Sequence, residues 1–346
     1  MNSIHLAHLK DRTPRYSRNL QLEELLKELS LVLGPIDEKI SSRFERPKWP
    51  PIFLVGSPRS GTTLVMQLLD ATQQFAIPTN LLSRFYYAPY LGAKIQQLLA
   101  DKRFDYNNEM GNLFAGEGFS SDLGKTSGAL SPSEFLYFWR RFLPNYDPQY
   151  LSPADEDQIN GPGLASGLAA MEDVFQKPLA LKAFIIQYNL PRLYGIFGNG
   201  IFVQVRRNPL YIMQSVYQAR KAFYETLNIW WSVKPREFSV LQHLDAYQQI
   251  AGQIYYTERA LTDGLAQIPD KHQLIVEYEE VCQSPSGFYR KLRDKYKEND
   301  YDLPEDVSLP NAFQPSNKVR IPDVEMKKLA DAYDILVKNA PKSNKA

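Results

Sequence analysis

Residues 56–63 read Gly56-Ser57-Pro58-Arg59-Ser60-Gly61-Thr62-Thr63. Before them stands Pro51-Ile-Phe-Leu-Val55, an apolar run without alternation. After them Thr62 to Leu69 (TTLVMQLL) restarts at helical spacing. The local reading is a strand buried on both faces, a glycine-containing loop, then a helix. The first N–H groups of a helix have no partner within it and point outward, and the helix dipole adds positive potential. Such a loop suits a phosphate or a sulfate. The spacing G-x-x-x-x-G matches the start of a nucleoside-triphosphate loop. There a lysine follows the second glycine and serves the β- and γ-phosphates. Here that position is Thr62, and the cation stands inside the loop as Arg59.

A second element supplies a further anion site. Residues 203–215 read Val-Gln-Val-Arg-Arg-Asn-Pro-Leu-Tyr-Ile-Met-Gln-Ser. A strand delivers Arg207, Asn208-Pro209 turns the chain, and Ser215 falls in the second turn of the following helix. An arginine at a strand end with a hydroxyl on the adjoining helix can grip a separate phosphate. Taken alone, Arg206 and Arg207 would read as solvated strand-end charges.

Together these stretches resemble the sulfotransferases. PIFLVGSPRSGTTLV is similar to that family's 5′-phosphosulfate loop, VRRNPLYIMQS to its 3′-phosphate motif, and VEYEEVCQSP at 276–285 to its Y-E-D segment. The three occur in the family's order between about residues 51 and 285. The resemblance implies the co-substrate 3′-phosphoadenosine 5′-phosphosulfate and a P-loop-like α/β fold, without a metal. It further implies that the backbone of Ser60, Gly61, Thr62 and Thr63 cradles the 5′-phosphosulfate, with Leu64 among the donor-binding residues. Arg59 stands where a cation neutralises the bridging oxygen. Arg207 and Ser215 take the 3′-phosphate. Tyr278 matches a position near the adenine, and equally suits a core tyrosine. The family's basic residue near the C-terminus has no matching motif; SNKVRIP at 316–322 offers Lys318 or Arg320 instead.

The pattern departs from the family at the general base. One branch places a histidine after a strand-end lysine, in a K-T-H run; here the run is Lys182-Ala183-Phe184. Another, with a closer R-S-G-T-T loop, places a glutamate after the first helix; here the residues are Ile77-Pro78-Thr79-Asn80. A hydroxyl acceptor benefits from a base by ~10²–10⁴ in rate. Candidates in this chain are Glu117 and Asp122 in GEGFSSD, Glu134 in SPSEF, and His243, with Glu134 and Asp122 preferred. Lys182 would contact the transferring group, as the family's strand-end lysine does.

These groups need elements to hold them. Strand signals recur at Leu179–Lys182, Gly200–Arg206 and His272–Tyr278, each followed by helical pattern. Strands alternating with helices imply a central parallel sheet in a three-layer sandwich. Leucines at helical spacing give a helix from Leu20 to Leu33, stopped by Gly34-Pro35. A second is expected over 131–142, a long one over 236–265 and a last one over 324–337. The chain reads as one domain, 1–346, with residues 1–46 as an N-terminal helical arm. Residues 80–175 form a helical, aromatic-rich insertion shaping the acceptor site. Its aromatics (Phe85, Tyr86, Tyr87, Tyr90, Phe135, Tyr137, Trp139), with Trp230 and Trp231, read as core or as an acceptor pocket.

Composition bounds the rest. Forty basic against 39 acidic residues leave a formal charge of +1, against a nucleic-acid partner but not against a local anion pocket. One cysteine, Cys282, excludes an internal disulfide and any multi-cysteine zinc site. No apolar run reaches the ~18 residues of a membrane span, and the first residues do not read as a secretory signal. A cytoplasmic setting is expected, with a small-molecule, lipid or glycan acceptor carrying a hydroxyl or amine, and oligomers remain open. The alternatives are a P-loop kinase or NTPase without the usual lysine, and a non-catalytic nucleotide-binding protein.

Overall fold

The computed structural model describes residues 11–105, 107, 109 and 118–339. At its centre four strands, β1 (Ile52–Val55), β2 (Ala180–Lys182), β3 (Ile201–Arg206) and β4 (Gln273–Glu277), form a parallel sheet in the order β2-β1-β3-β4. β1 is buried at every residue because both of its faces are covered. Phe53 and Val55 enter one core with Leu181 and Phe202, while Ile52 and Leu54 enter a second with Val203 and Val205. Side chains alternate across a strand, so the two cores lie on opposite faces and the sheet is the middle of three layers. β4 is an edge strand whose residues alternate between buried and open, Ile275 being exposed.

The helices that matter below are α1 (Leu20–Ser41), α2 (Thr62–Ala71), α3 (Pro89–Ala100), α4 (Gly161–Phe175), α5 (Leu190–Phe197), α6 (Pro209–Tyr224), α7 (Ala246–Leu265), α8 (Tyr278–Gln283), α9 (Pro285–Lys297) and α10 (Asp323–Lys338). The chain leaves β1, returns on one side as β2, then crosses to the other side as β3. The carboxyl ends of β1 and its neighbours therefore flank a topological switch point, where open α/β sheets bind ligands. The register sets Leu54 beside Lys182 and Val55 beside Gln204, and Arg206 opposite Glu277. Strand ends, anion loop and Arg207 thus share one edge.

Three expected elements differ from the sequence reading. Gly34-Pro35 does not stop α1, which runs to Ser41. Proline forfeits one hydrogen bond inside a helix. Beyond it the helix is anchored by buried Asp37, which accepts from Leu91 N at 2.9 Å at the start of α3. The helix expected over 131–142 shrinks to one turn, Leu136–Trp139, because Phe135 before it takes a left-handed φ of 55°. The stretch 236–265 is divided. Asp245 caps α7 by accepting from Tyr247 and Gln248 N–H, and Gln248 reaches back to Asp245 N.

The insertion's aromatics divide between core and surface. Phe135, Phe138 and Trp139 are buried, while Tyr87 and Tyr137 stay exposed beside Tyr86. Trp230 donates to Val233 O and Trp231 packs on Phe223 at the end of α6.

Candidate functional site

The loop between β1 and α2 is held from below and left bare above. Gly56 N donates to Gln187 Oε1 at 3.2 Å, and Ser57 Oγ donates to Glu258 Oε1 at 2.6 Å. Gly61 occupies the cap position of α2 with φ 108°, and no side chain caps the helix. A Cβ at Gly61 would stand 2.4 Å from the Tyr278 ring. Only glycine fits both the backbone and the space. The first turn, Thr62, Thr63 and Leu64, therefore presents N–H groups with no side-chain partner.

Arg59 lies in the loop with φ 72°, a conformation that costs a non-glycine residue ~1 kcal/mol or more. Both ends of the residue are tied. Its Nε donates to Ser215 Oγ at 3.0 Å, and its carbonyl accepts from Arg207 Nη1 at 3.0 Å. Arg207 also donates to Ser316 O and Asn317 Oδ1 and lies over the Tyr278 ring, 4.5 Å from its centroid. Burial pulls the Arg59 guanidinium below its ordinary value, and the neighbouring Arg207 pulls it further. Burial lowers Arg207 too, with Arg320 adding to the effect. An anion bound beside them would oppose both effects.

On the other side of the loop, Lys182 Nζ donates to Thr63 Oγ1 at 2.8 Å and pairs with Glu134 Oε1 at 3.3 Å. The Lys182 side chain is 5% exposed and that of Glu134 36%. Burial pushes the ammonium down from its ordinary value, Glu134 opposes this, and Arg59 reinforces it. Gly124, at φ +90°, arches over the group. A Cβ there would meet Arg59 Nη1 at 3.4 Å, Thr63 Oγ1 at 3.7 Å and Glu134 Oε1 at 3.8 Å.

The sequence candidates therefore separate. Arg59, Ser60, Gly61, Thr62, Thr63, Leu64, Lys182, Glu134, Arg207 and Ser215 converge on one edge of the sheet. Glu134 does not begin a helix but stands two residues before the single turn Leu136–Trp139. Asp122 lies in the same covering loop, yet its carboxylate is exposed and bound to Arg15 Nη2 at 2.6 Å. Tyr278 is buried, backs Gly61 and accepts from Ser316 N through its hydroxyl. The segment carrying Lys318 and Arg320 docks on α6, where Gln214 Nε2 donates to Lys318 O and Gln214 Oε1 accepts from Arg320 N. Arg320 thereby comes close enough to depress Arg207, while Lys318 is engaged through its carbonyl. His243 sits exposed in the turn before α7, not on a helix. Glu117 lies outside the described residues. Sequence reasoning missed Ser316, Asn317 and Gly124. The first two open the SNKVRIP stretch already singled out, but Gly124 carries no signal beyond being a glycine.

A model of the sulfotransferase family matches residues 50–299, well over half of the chain. The chain belongs to the sulfotransferase family. Solved structures show a looser similarity. Sulfotransferase STF9 from Mycobacterium avium is 16% identical at a TM-score of 0.49, over 86% of this chain and 70% of its own. STF1 from Mycobacterium tuberculosis is 15% identical at 0.47, over 88% and 81%. The sulfotransferase domain of the Synechococcus PCC 7002 olefin synthase is 16% identical at 0.42, over 86% and 97%. No curated protein sequence matches. The sulfotransferase match spans β1, the loop, β2, β3 and β4, the elements that position the site. In this sulfotransferase the described residues contain no cluster of His, Cys, Asp and Glu able to hold a metal, and no helix long and apolar enough to cross a membrane.

Proposed function

We propose that this sulfotransferase uses 3′-phosphoadenosine 5′-phosphosulfate as donor and transfers its sulfuryl group in line to a hydroxyl or amine. The observation that carries the reading is the linked pair Arg59 and Arg207 beside an uncapped helix start, Arg207 donating to the Arg59 carbonyl and lying close enough to depress the Arg59 guanidinium. A nucleotide with anionic groups at both ends would relieve that repulsion at two points. The first turn of α2 binds the 5′ end through Ser60, Gly61, Thr62, Thr63 and Leu64. Arg207 and Ser215 bind the 3′-phosphate, with Arg320 at its rim and Tyr278 backing the loop. Lys318 is left to the surface.

The chemistry follows from where the charges lie. Sulfuryl transfer forms a bond from sulfur to the acceptor heteroatom and breaks the one to the bridging oxygen, whose electrons pass to the phosphate. Arg59 and Lys182 supply fixed positive charge where that negative charge grows, a contribution worth ~10²–10³ in rate per donor. Glu134 is open to the acceptor side and takes its proton. Lys182 stands between Glu134 and Thr63, so one ammonium orients the base and the loop together. Asp122 serves as an anchor for the covering loop rather than as the base.

Calorimetry without metal tests the donor. Adenosine 3′,5′-bisphosphate should bind at least ~10²-fold more tightly than ADP, as two charge-assisted contacts imply. Equal affinities, or a strict need for magnesium, would favour the nucleotide-kinase alternative and overturn this reading.

A further inference from the structure

A carboxyl group lies beneath the anion loop. Glu258 stands on α7, and its two oxygens accept from Ser57 Oγ at 2.6 Å and Gln204 Nε2 at 3.0 Å. Ser57 and Gln204 are themselves fully buried, and Glu258 is half-buried beside them. The groups facing it are few. Ser57 comes from the loop, Gln204 and Arg206 from β3, Tyr188 from the stretch before α5, and Tyr333 from α10. Arg206 is the one permanently charged group among them, and its Nη2 donates to Thr262 Oγ1 at 3.2 Å. No ion pair joins it to Glu258 among the described residues.

We propose that Glu258 is a positioning residue for the donor loop: its carboxyl holds Ser57 from below, and its negative charge, where it is ionised, weakens the binding of a polyanion on the loop above. The proposal rests on the donor reading above. Its ground is geometric. The loop is pinned from below at two points, Gly56 by Gln187 and Ser57 by Glu258, and only the second pin can carry charge. Burial pushes this carboxyl above the ordinary glutamate range, against the hydrogen bond from Ser57 and the charge of Arg206. The neutral form therefore persists above the usual value. A bound anion overhead raises the group further, so binding takes up a proton wherever the free carboxyl is ionised.

The test is calorimetric titration of the full chain with adenosine 3′,5′-bisphosphate from about pH 5 to about pH 9, above the ordinary glutamate value. Wild type is expected to lose affinity relative to Glu258→Gln as pH rises. The ratio should change by about ten-fold, as for like charges ~10 Å apart at an effective dielectric near ~20. Titration of Lys182 and of the ligand is common to both proteins and cancels in that ratio. Ser57→Ala is a second arm, independent of whether the glutamine variant folds. Removing the hydroxyl that favours the charged carboxyl should move the loss of affinity to higher pH. Parallel profiles for wild type and Glu258→Gln, or a Ser57→Ala profile without a shift, would overturn the role of Glu258 while leaving the donor reading intact. Failure of wild type to bind the bisphosphate at any pH would instead overturn the donor reading, and this inference with it.

Discussion

The donor half of the site hangs on strand ends and helix starts, whereas the acceptor half hangs on loops. Arg59, Thr63, Arg207 and Ser215 stand within a few residues of β1, α2, β3 and α6, the first three fixed by the two cores on the sheet and α6 by a third shared with α7 and α10. Glu134 and Gly124 reach the same spot from the insertion, held by Lys182, by Asn80 Nδ2 bonds to Thr126 and Gly128 O, and by Arg15 on Asp122. A regular scaffold gives the donor half a rigid frame. Loops give the proposed acceptor half more freedom to move than the strand-held half.

That contrast can be broken at its strongest point, where the two halves touch. Lys182→Met should lower turnover by about 10³-fold, since it removes a preorganised charge and the orientation of Glu134 together. Its melting temperature should hold or rise by a few degrees, because a buried ammonium is exchanged for an apolar chain of similar length. A collapse of the fold would show that Lys182 is structural. The linkage sign agrees: an amine depressed by burial costs stability below its folded pKa, and the cost is relieved as pH rises toward 10.5, the ordinary lysine value.

Within the acceptor half, Glu134→Gln should lower turnover by about 10²–10⁴-fold with donor affinity nearly unchanged. Asp122→Asn should stay within about three-fold, since it weakens only an exposed ion pair. The reverse ranking, read from initial rates with one acceptor, would transfer the base to Asp122.

Within the donor half, Gly61→Ala should cost about 2–3 kcal/mol in denaturant unfolding. A Cβ there meets the Tyr278 ring and the φ of 108° is strained. In the acceptor half, Gly124→Ala meets its neighbours only at ordinary contact distances, and its φ of +90° should cost about 1 kcal/mol. Arg15→Ala, the smallest effect, should change stability by less than about 1 kcal/mol.

The same contrast explains what the sequence made legible. The four strands, the loop and the placement of Arg207 after a strand and Ser215 on the next helix could be read because each lies within one short stretch, where strand, turn and helix signals coincide. Glu134 was legible as a candidate acid but not as the partner of Lys182, 48 residues away. Its selection over Asp122 depends on which carboxylate is drawn into the site and which is drawn out by Arg15. The end of α1 was misread because the proline rule is local, while the pull on Asp37 from Leu91 N is not. The break before α7 was legible in principle, as Asp245 and Gln248 carry the capping-box spacing.

The central claim is that two separate anion sites, one on the loop and one at Arg207, hold the two ends of a single nucleotide. Binding of adenosine 3′,5′-bisphosphate and of adenosine 5′-monophosphate to wild type and to Arg207→Ala measures this directly, as a cycle. Wild type should prefer the bisphosphate by about 10²-fold, and Arg207→Ala should lose most of that preference while binding the monophosphate within about three-fold of wild type. An unchanged preference in Arg207→Ala would contradict the assignment.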